Sequence, residues 1–347
     1  MPSIPQDLIT EVLAKLPVKT LLRFKSVCKS WKSIITDPQF ARLHSGPARL
    51  LIRSWDGVSY GEEYHSVDCD ALGDNCAYDK AIVELRLPIK DGHWFPISGS
   101  CNGLICFGLP GKLYLWNPST GDFKKLPKYN SGGLHCRLGY DKSINNYKVV
   151  VIVSTRAPLI NQVEVLTLRT KTWRRVQDFN YYIDNPDAIL VNGALHWEAY
   201  SDSTNGIISN LVAFDLAEET CSIVPKPAYQ RTSNAHSWLG VLGGCLCLCD
   251  KIGSGIDAWI MKEYGVKESW MKLISVPSQV FKDRNLGTRC FRPILLSGDG
   301  VMVGILNNKF LVKCNLNNNS FQLIRKYVGV FYLIVVIVYE ESLVSPR

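Results

Sequence analysis

Two hydrophobic periodicities divide the chain. From Leu8 to Ile35 apolar residues recur three and four apart: Leu8, Ile9, Val12, Leu13 and Leu16, then Leu21, Leu22 and Phe24, then Val27, Cys28, Trp31, Ile34 and Ile35. That is the spacing of short amphipathic helices. Pro5 suits a first helical turn, since its φ is already helical and its missing N–H would be unpaired there. Asp7 and Glu11 favour the positive end of the same helix. Pro17 ends that helix, and Asp37-Pro38 punctuates the run, so two or three short helices are expected.

Beyond residue 48 the period changes. Short alternating or β-branched segments are separated by Gly, Pro, Asn and Asp clusters, the pattern of an all-β body. Within it an apolar strand, a polar turn and a second strand opened by a bulky or apolar residue recur as a unit. The instances are Leu113–Trp116 to Phe123, Val163–Leu166 to Trp173, Leu211–Phe214 to Cys221, Ile256 to Trp270, and Phe310–Val312 to Phe321. Their closing residues repeat every 48–51 positions. A period near 50 built of short strands is that of kelch-type propeller blades, which bury their faces only against neighbouring blades. The 299 residues from Arg49 onward hold six such blades, with five as the alternative. Ring closure is expected from the segment Tyr339–Val344 pairing near Leu50-Leu51-Ile52, because closure removes exposed sheet edges.

The helical stretch is too short to bury much surface alone, and chains below about 40 residues generally need outside support. Its ordered residues, Ile4-Pro5, Leu16-Pro17 and Val27-Cys28 through Trp31, resemble an F-box, the module that plugs a substrate receptor into the Skp-type adaptor of a cullin-based ubiquitin ligase. The resemblance implies adaptor-binding positions at Pro5, Leu8, Ile9, Leu13, Leu16, Pro17, Leu21, Val27, Cys28 and Trp31. The body resembles the plant F-box-associated interaction domain, a divergent kelch relative. The matching residues are Cys101–Cys106, Trp116–Thr120, Gly139-Tyr140-Asp141, Tyr147–Val150, Asn192–Trp197, Met261–Val266 and Glu341–Val344. The double glycine that opens a strict kelch blade stands only at Gly243-Gly244 and Gly132-Gly133. The expected architecture is therefore mainly β, a small N-terminal helical F-box over residues 1–45 followed by a kelch-like β-propeller over 46–347.

Charge sharpens this division. The first fifty residues hold eight Lys or Arg (Lys15, Lys19, Arg23, Lys25, Lys29, Lys32, Arg42, Arg49) against Asp7, Glu11 and Asp37, which is +5 of the chain's +8. Such a patch suits nucleic acid, an anionic membrane or an acidic protein. The resemblance implies an acidic adaptor, and the body lacks the basic stripe of a nucleic-acid reader. No nucleic-acid or membrane partner is expected. The apolar run Tyr327–Tyr339 is shorter than the about 20 residues a spanning helix needs, and its β-branched residues point to a buried strand or two.

Candidate chemistry is sparse. The sequence carries no phosphate loop, no His-Glu-x-x-His helix and no serine elbow. Its six histidines, at 44, 65, 93, 135, 196 and 236, are scattered. His196 reads as a packed imidazole between Leu195 and Trp197. Twelve cysteines without a secretory start indicate reduced thiols in cytoplasm or nucleus. Cys245, Cys247 and Cys249 fall on one strand face, where packing is favoured over a metal. No catalytic residue, metal or cofactor is expected. The resemblance implies a non-enzymatic substrate receptor, joined through the adaptor to cullin and RING subunits, whose propeller binds a target protein for ubiquitination and degradation. The alternative is a propeller scaffold or carbohydrate-binding module outside any ligase. Candidate target loops are Asp56–Asp79, Tyr181–Asp187 and Tyr200–Asn210, with no single residue singled out.

Overall fold

The computed structural model describes residues 5–346 apart from 56–61, 74–80, 90–96, 110, 130–134, 157–158, 177, 180, 184–187, 204–205, 229–236, 278, 282–285, 288–289 and 327–331. Ile4, His93, His236, Gly132-Gly133 and parts of the three candidate target loops lie outside the described residues.

Four helices come first: α1 (Gln6–Ala14), α2 (Val18–Phe24), α3 (Lys29–Thr36) and α4 (Pro38–Leu43). The first three are those expected up to Asp37, and the fourth lies beyond that run. Asp37-Pro38 starts a helix instead of ending the module, because the Asp37 carboxylate caps it, accepting from Gln39 N at 2.7 Å and Phe40 N at 3.1 Å, while Pro38 takes the first position.

Six antiparallel blades follow, five of four strands and one of five among the described residues. Blade 2 runs outward through Ile97–Cys101, Leu104–Leu109, Lys112–Trp116 and Phe123–Lys125; blade 3 through His135–Asp141, Asn146–Arg156, Leu159–Thr167 and Thr172–Arg175. Blade 4 has Ile189–Val191 and the short Tyr182–Ile183 on its inner edge, then Ala194–Ser203, Gly206–Asp215 and Cys221–Val224. Blade 5 comprises Trp238–Leu242, Cys245–Ile252, Gly255–Met261 and Trp270–Val276; blade 6, Phe291–Leu296, Val301–Leu306, Phe310–Asn315 and Ser320–Lys326. The sequence repeat is the outer hairpin of these blades. Each closing residue of the repeat directly opposes a residue of the preceding strand: Phe123 faces Trp116, Trp173 Leu166, Cys221 Phe214, Trp270 Met261 and Phe321 Cys314.

Blade 1 is completed from both ends of the body. Ser45–Trp55, Glu62–Asp68 and Ile82–Leu85 form its outer three strands, and Tyr332–Ser342 supplies the innermost. Neighbouring blades touch through their inner strands in cyclic order, so the ring is closed by the chain's last strand. Closure thus occurs where expected, with a shifted register. Leu50, Leu51 and Ile52 face Val338, Ile337 and Val336, and Tyr339 faces Arg49. The shift arises because Leu343 and Val344 leave the strand and enter the apolar core instead. The apolar run near the C-terminus is accordingly strand over its described part.

In each blade the turns between strands one and two, and between three and four, share one face of the ring, and the remaining connections share the other. The helical module enters at Ser45, where the second strand of blade 1 begins, which puts it on the first of these faces. Its interior residues Leu13, Val18, Leu21, Ile35, Phe40 and Ala41 form one continuous core with Leu104, Leu115, Leu126 and Val344 of the propeller. Each such fully buried aliphatic side chain stabilises by roughly 1.5–3 kcal/mol, and the support a short helical module requires comes from this shared core.

Candidate docking site

The helical module presents an apolar face that the fold leaves open. Leu8 is 50% exposed, Val12 61% and Val27 60%, and Pro5, Pro17 and Cys28 are exposed as well. Ile9, Leu16 and Trp31 are half-buried. Local structure fixes these positions. Trp31 leans on Phe24 with ring centroids 5.1 Å apart, and the Cys28 thiol accepts from Trp31 N at 3.5 Å, opening α3. The Leu16-Pro17 corner between α1 and α2 is tied down by buried His44, whose Nε2 lies 2.8 Å from the Leu16 carbonyl and so carries the proton it donates.

Two of the ten expected adaptor-binding residues lie inside the module. Leu13 is 1% exposed and Leu21 fully buried. Their helical spacing matched the motif, but both side chains face inward to the shared core and support the surface instead of forming it. Val12 is an exposed apolar residue that the motif did not single out. Helical phase alone could have found it, since it lies four residues from Leu8.

The basic patch is also redistributed. Lys15, Lys19, Arg23, Lys29 and Lys32 are exposed on the module. Arg49 belongs to blade 1, where it pairs with Glu341 at 3.4 Å and Asp68 at 3.8 Å and donates to Ser66 Oγ. Lys25 faces the propeller: burial holds its ammonium below the usual lysine value, partly offset by Asp122 of blade 2. Module and propeller therefore meet through charge as well as apolar packing.

On the propeller the family-like motifs occupy the turns and seams. Asn102-Gly103 and Asn192-Gly193 are first hairpin turns, all four residues at positive φ. A side chain at Gly103 would collide with Ser342 and the Glu340 carbonyl, so the turn also needs glycine to pass the closing strand. Asn117 holds the carbonyls of Ser342 and Val344. Lys148, 3% exposed, bridges Asp141 at 2.6 Å and Glu219 at 2.8 Å, joining blades 3 and 4. Burial raises the Asp141 carboxyl, but Lys148 and Ser143 outweigh it and hold the group below its usual value. His196 is fully buried, with Nδ1 3.2 Å from the Ile189 carbonyl and Nε2 2.7 Å from the Tyr264 hydroxyl of blade 5. Desolvation pushes its pKa down to about 4. Cys247 and Cys249 pack among Leu242, Ile256, Ala258 and Met302, and burial drives the Cys249 thiol well above its ordinary value. These residues hold blades together. Among the described residues, no three His, Cys, Asp or Glu converge as metal ligands, and no helix is long and apolar enough to cross a membrane.

Comparison with known proteins agrees with this division. Residues 1–43 match the F-box domain, and residues 73–328 match the F-box associated beta propeller domain. The F-box/kelch-repeat protein At3g23880 of Arabidopsis thaliana is 30% identical over 92% of this chain and 89% of its own length. The F-box protein CPR1 of the same plant is 29% identical, with 94% and 85% covered. A third Arabidopsis relative, F-box protein At3g07870, is 30% identical over 79% of this chain and 72% of its own. The chain belongs to the F-box proteins that carry an F-box associated β-propeller.

Proposed function

We propose that this protein is the substrate-recognition subunit of a Skp-cullin-F-box ubiquitin ligase. The observation that carries the reading is the open apolar face of Pro5, Leu8, Val12, Pro17, Val27 and Cys28 on a module whose other side is committed to the propeller core. Exposed leucine and valine at these positions cost solvation that a partner surface would recover. The five exposed lysines and arginines around them suit an acidic adaptor and would raise the association rate. Cullin and RING subunits join through that adaptor.

The target protein binds on the propeller face turned away from the module. The described ends of the Tyr200–Asn210 candidate loop, at the hairpin joining Ala194–Ser203 to Gly206–Asp215, belong to that face. Catalysis then proceeds by proximity, the target's lysines being held near a ubiquitin-charged enzyme, with no side chain of this chain doing chemistry. Reconstitution tests the reading. The wild-type chain should be retained with adaptor and cullin in a pull-down, and a Leu16→Asp, Pro17→Ala double variant should be lost from it. Equal retention of both would sink the proposal. Proximity labelling with the module deleted, which traps targets otherwise degraded, would identify the target.

A further inference from the structure

Between the outer strand of blade 2 and the outer hairpin of blade 3 lies a cleft of about 310 Å³. Leu126, Pro127, Leu166 and Leu168 give it a mainly apolar lining, and Lys124, Lys125 and Lys171 line it as well. One wall is fixed from behind, where the Trp173 indole donates to the Pro127 carbonyl at 2.9 Å and Trp173 packs on Tyr129.

The charge arrangement is unlike its surroundings. At the neighbouring seam, between blades 3 and 4, Lys148 and Arg174 are both satisfied by Glu219. Lys124 has no such partner among the described residues. Burial lowers its ammonium pKa, and Lys171 lowers it further by like-charge repulsion. Two lysines thus line one largely apolar cleft, an arrangement that an anion relieves. The volume is at the small end of small-molecule sites, which combine apolar walls with a few polar groups that fix orientation.

We propose that this cleft binds a small amphipathic anion, an aromatic or short aliphatic body bearing one carboxylate, sulfonate or phosphate. The apolar part sits against Leu126, Leu166 and Leu168, and the acid is held by Lys124 and Lys171. The site is separate from the adaptor-docking face and stands or falls without it.

Titration of the full-length chain with naphthalene-2-sulfonate, its neutral counterpart naphthalene-2-methanol, and inorganic phosphate tests this. The sulfonate should bind at one site, and both controls should bind at least about tenfold more weakly, the value of one charge-assisted hydrogen bond or of a comparable apolar contact. A Lys124→Gln, Lys171→Gln variant, altered at two ammonium groups that have no ion-pair partner among the described residues, should keep its melting temperature and lose about tenfold in sulfonate affinity. Equal binding by sulfonate and alcohol, equal binding by sulfonate and phosphate, or unchanged affinity in the variant would each overturn the proposal. So would an acidic decapeptide binding more tightly than the sulfonate, which would assign the cleft to a protein segment.

Discussion

The side-chain amide of Asn117 donates to the carbonyl of Val344 at 2.8 Å, across a separation of 227 residues. The same nitrogen reaches the Ser342 carbonyl at 3.0 Å, while Oδ1 accepts from Ser119 N at 2.8 Å and so shapes the outer turn of blade 2. Asn117 is fully buried. One side chain therefore builds a hairpin turn and fastens the segment that follows the ring-closing strand. Asn117→Ala leaves both carbonyls unpaired and should cost about 2–4 kcal/mol. Denaturant unfolding checks this: a lower midpoint at an unchanged slope is expected, and a loss below half a kcal/mol would show that closure does not depend on this residue.

Lys148→Met leaves Asp141 and Glu219 facing each other without their shared cation. Removing one partner from a buried ionic group costs about 3–5 kcal/mol. Thermal unfolding should show the loss at neutral pH, and the gap to wild type should narrow on acidification, because the lowered Asp141 carboxyl is a contribution only the wild type can lose.

His196 predicts a pH dependence of known sign. Its imidazole has a folded pKa of about 4, below the 6.5 of the free group, so the unfolded chain binds the proton first on acidification. The neutral ring's contribution is complete above pH 6.5 and falls as the pH drops toward 4, by up to about 3 kcal/mol. Between pH 7 and 4.5 wild-type protein should therefore lose more stability than His196→Gln. Parallel curves for the two proteins would contradict the assignment of this imidazole.

Helix residues separate into two kinds by burial. Leu13→Ala and Leu21→Ala should each cost about 2–5 kcal/mol of stability, as deletions in a packed core do. Leu8→Asp and Val27→Asp should leave unfolding within about 0.5 kcal/mol of wild type, since both positions are at least half solvated already.

Much of this arrangement was legible in the residues. Period and turn chemistry revealed the outer hairpins, because Trp173, Cys221, Trp270 and Phe321 stand at one register position in successive blades. The short helices were legible from apolar spacing. What spacing does not carry is which apolar residue faces which neighbour: Leu8 and Leu13 look alike until the propeller core covers one of them. Blade 1 was poorly defined for a related reason. Its outer strands, Glu62–Asp68 and Ile82–Leu85, are separated by residues 69–81 where the other blades have a short turn, so the spacing of the repeat is lost there. The fourth helix was missed because Asp-Pro serves as both a stop and a start, and only the capping geometry of Asp37 decides. Seam partners such as His196 and Tyr264, 68 residues apart, have no sequence signal beyond their motifs.

Docking itself is read by titrating a Skp-type adaptor into the full-length chain and into the Leu8→Asp, Val27→Asp double variant, with thermal unfolding recorded for both. Wild type should bind the adaptor at one site, and the variant, equally stable, should lose at least about a hundredfold in affinity, since each buried charge left unpaired costs several kcal/mol. Two folded proteins that bind the adaptor with the same Kd, or a wild-type chain that does not bind it, would contradict the docking face described for this module.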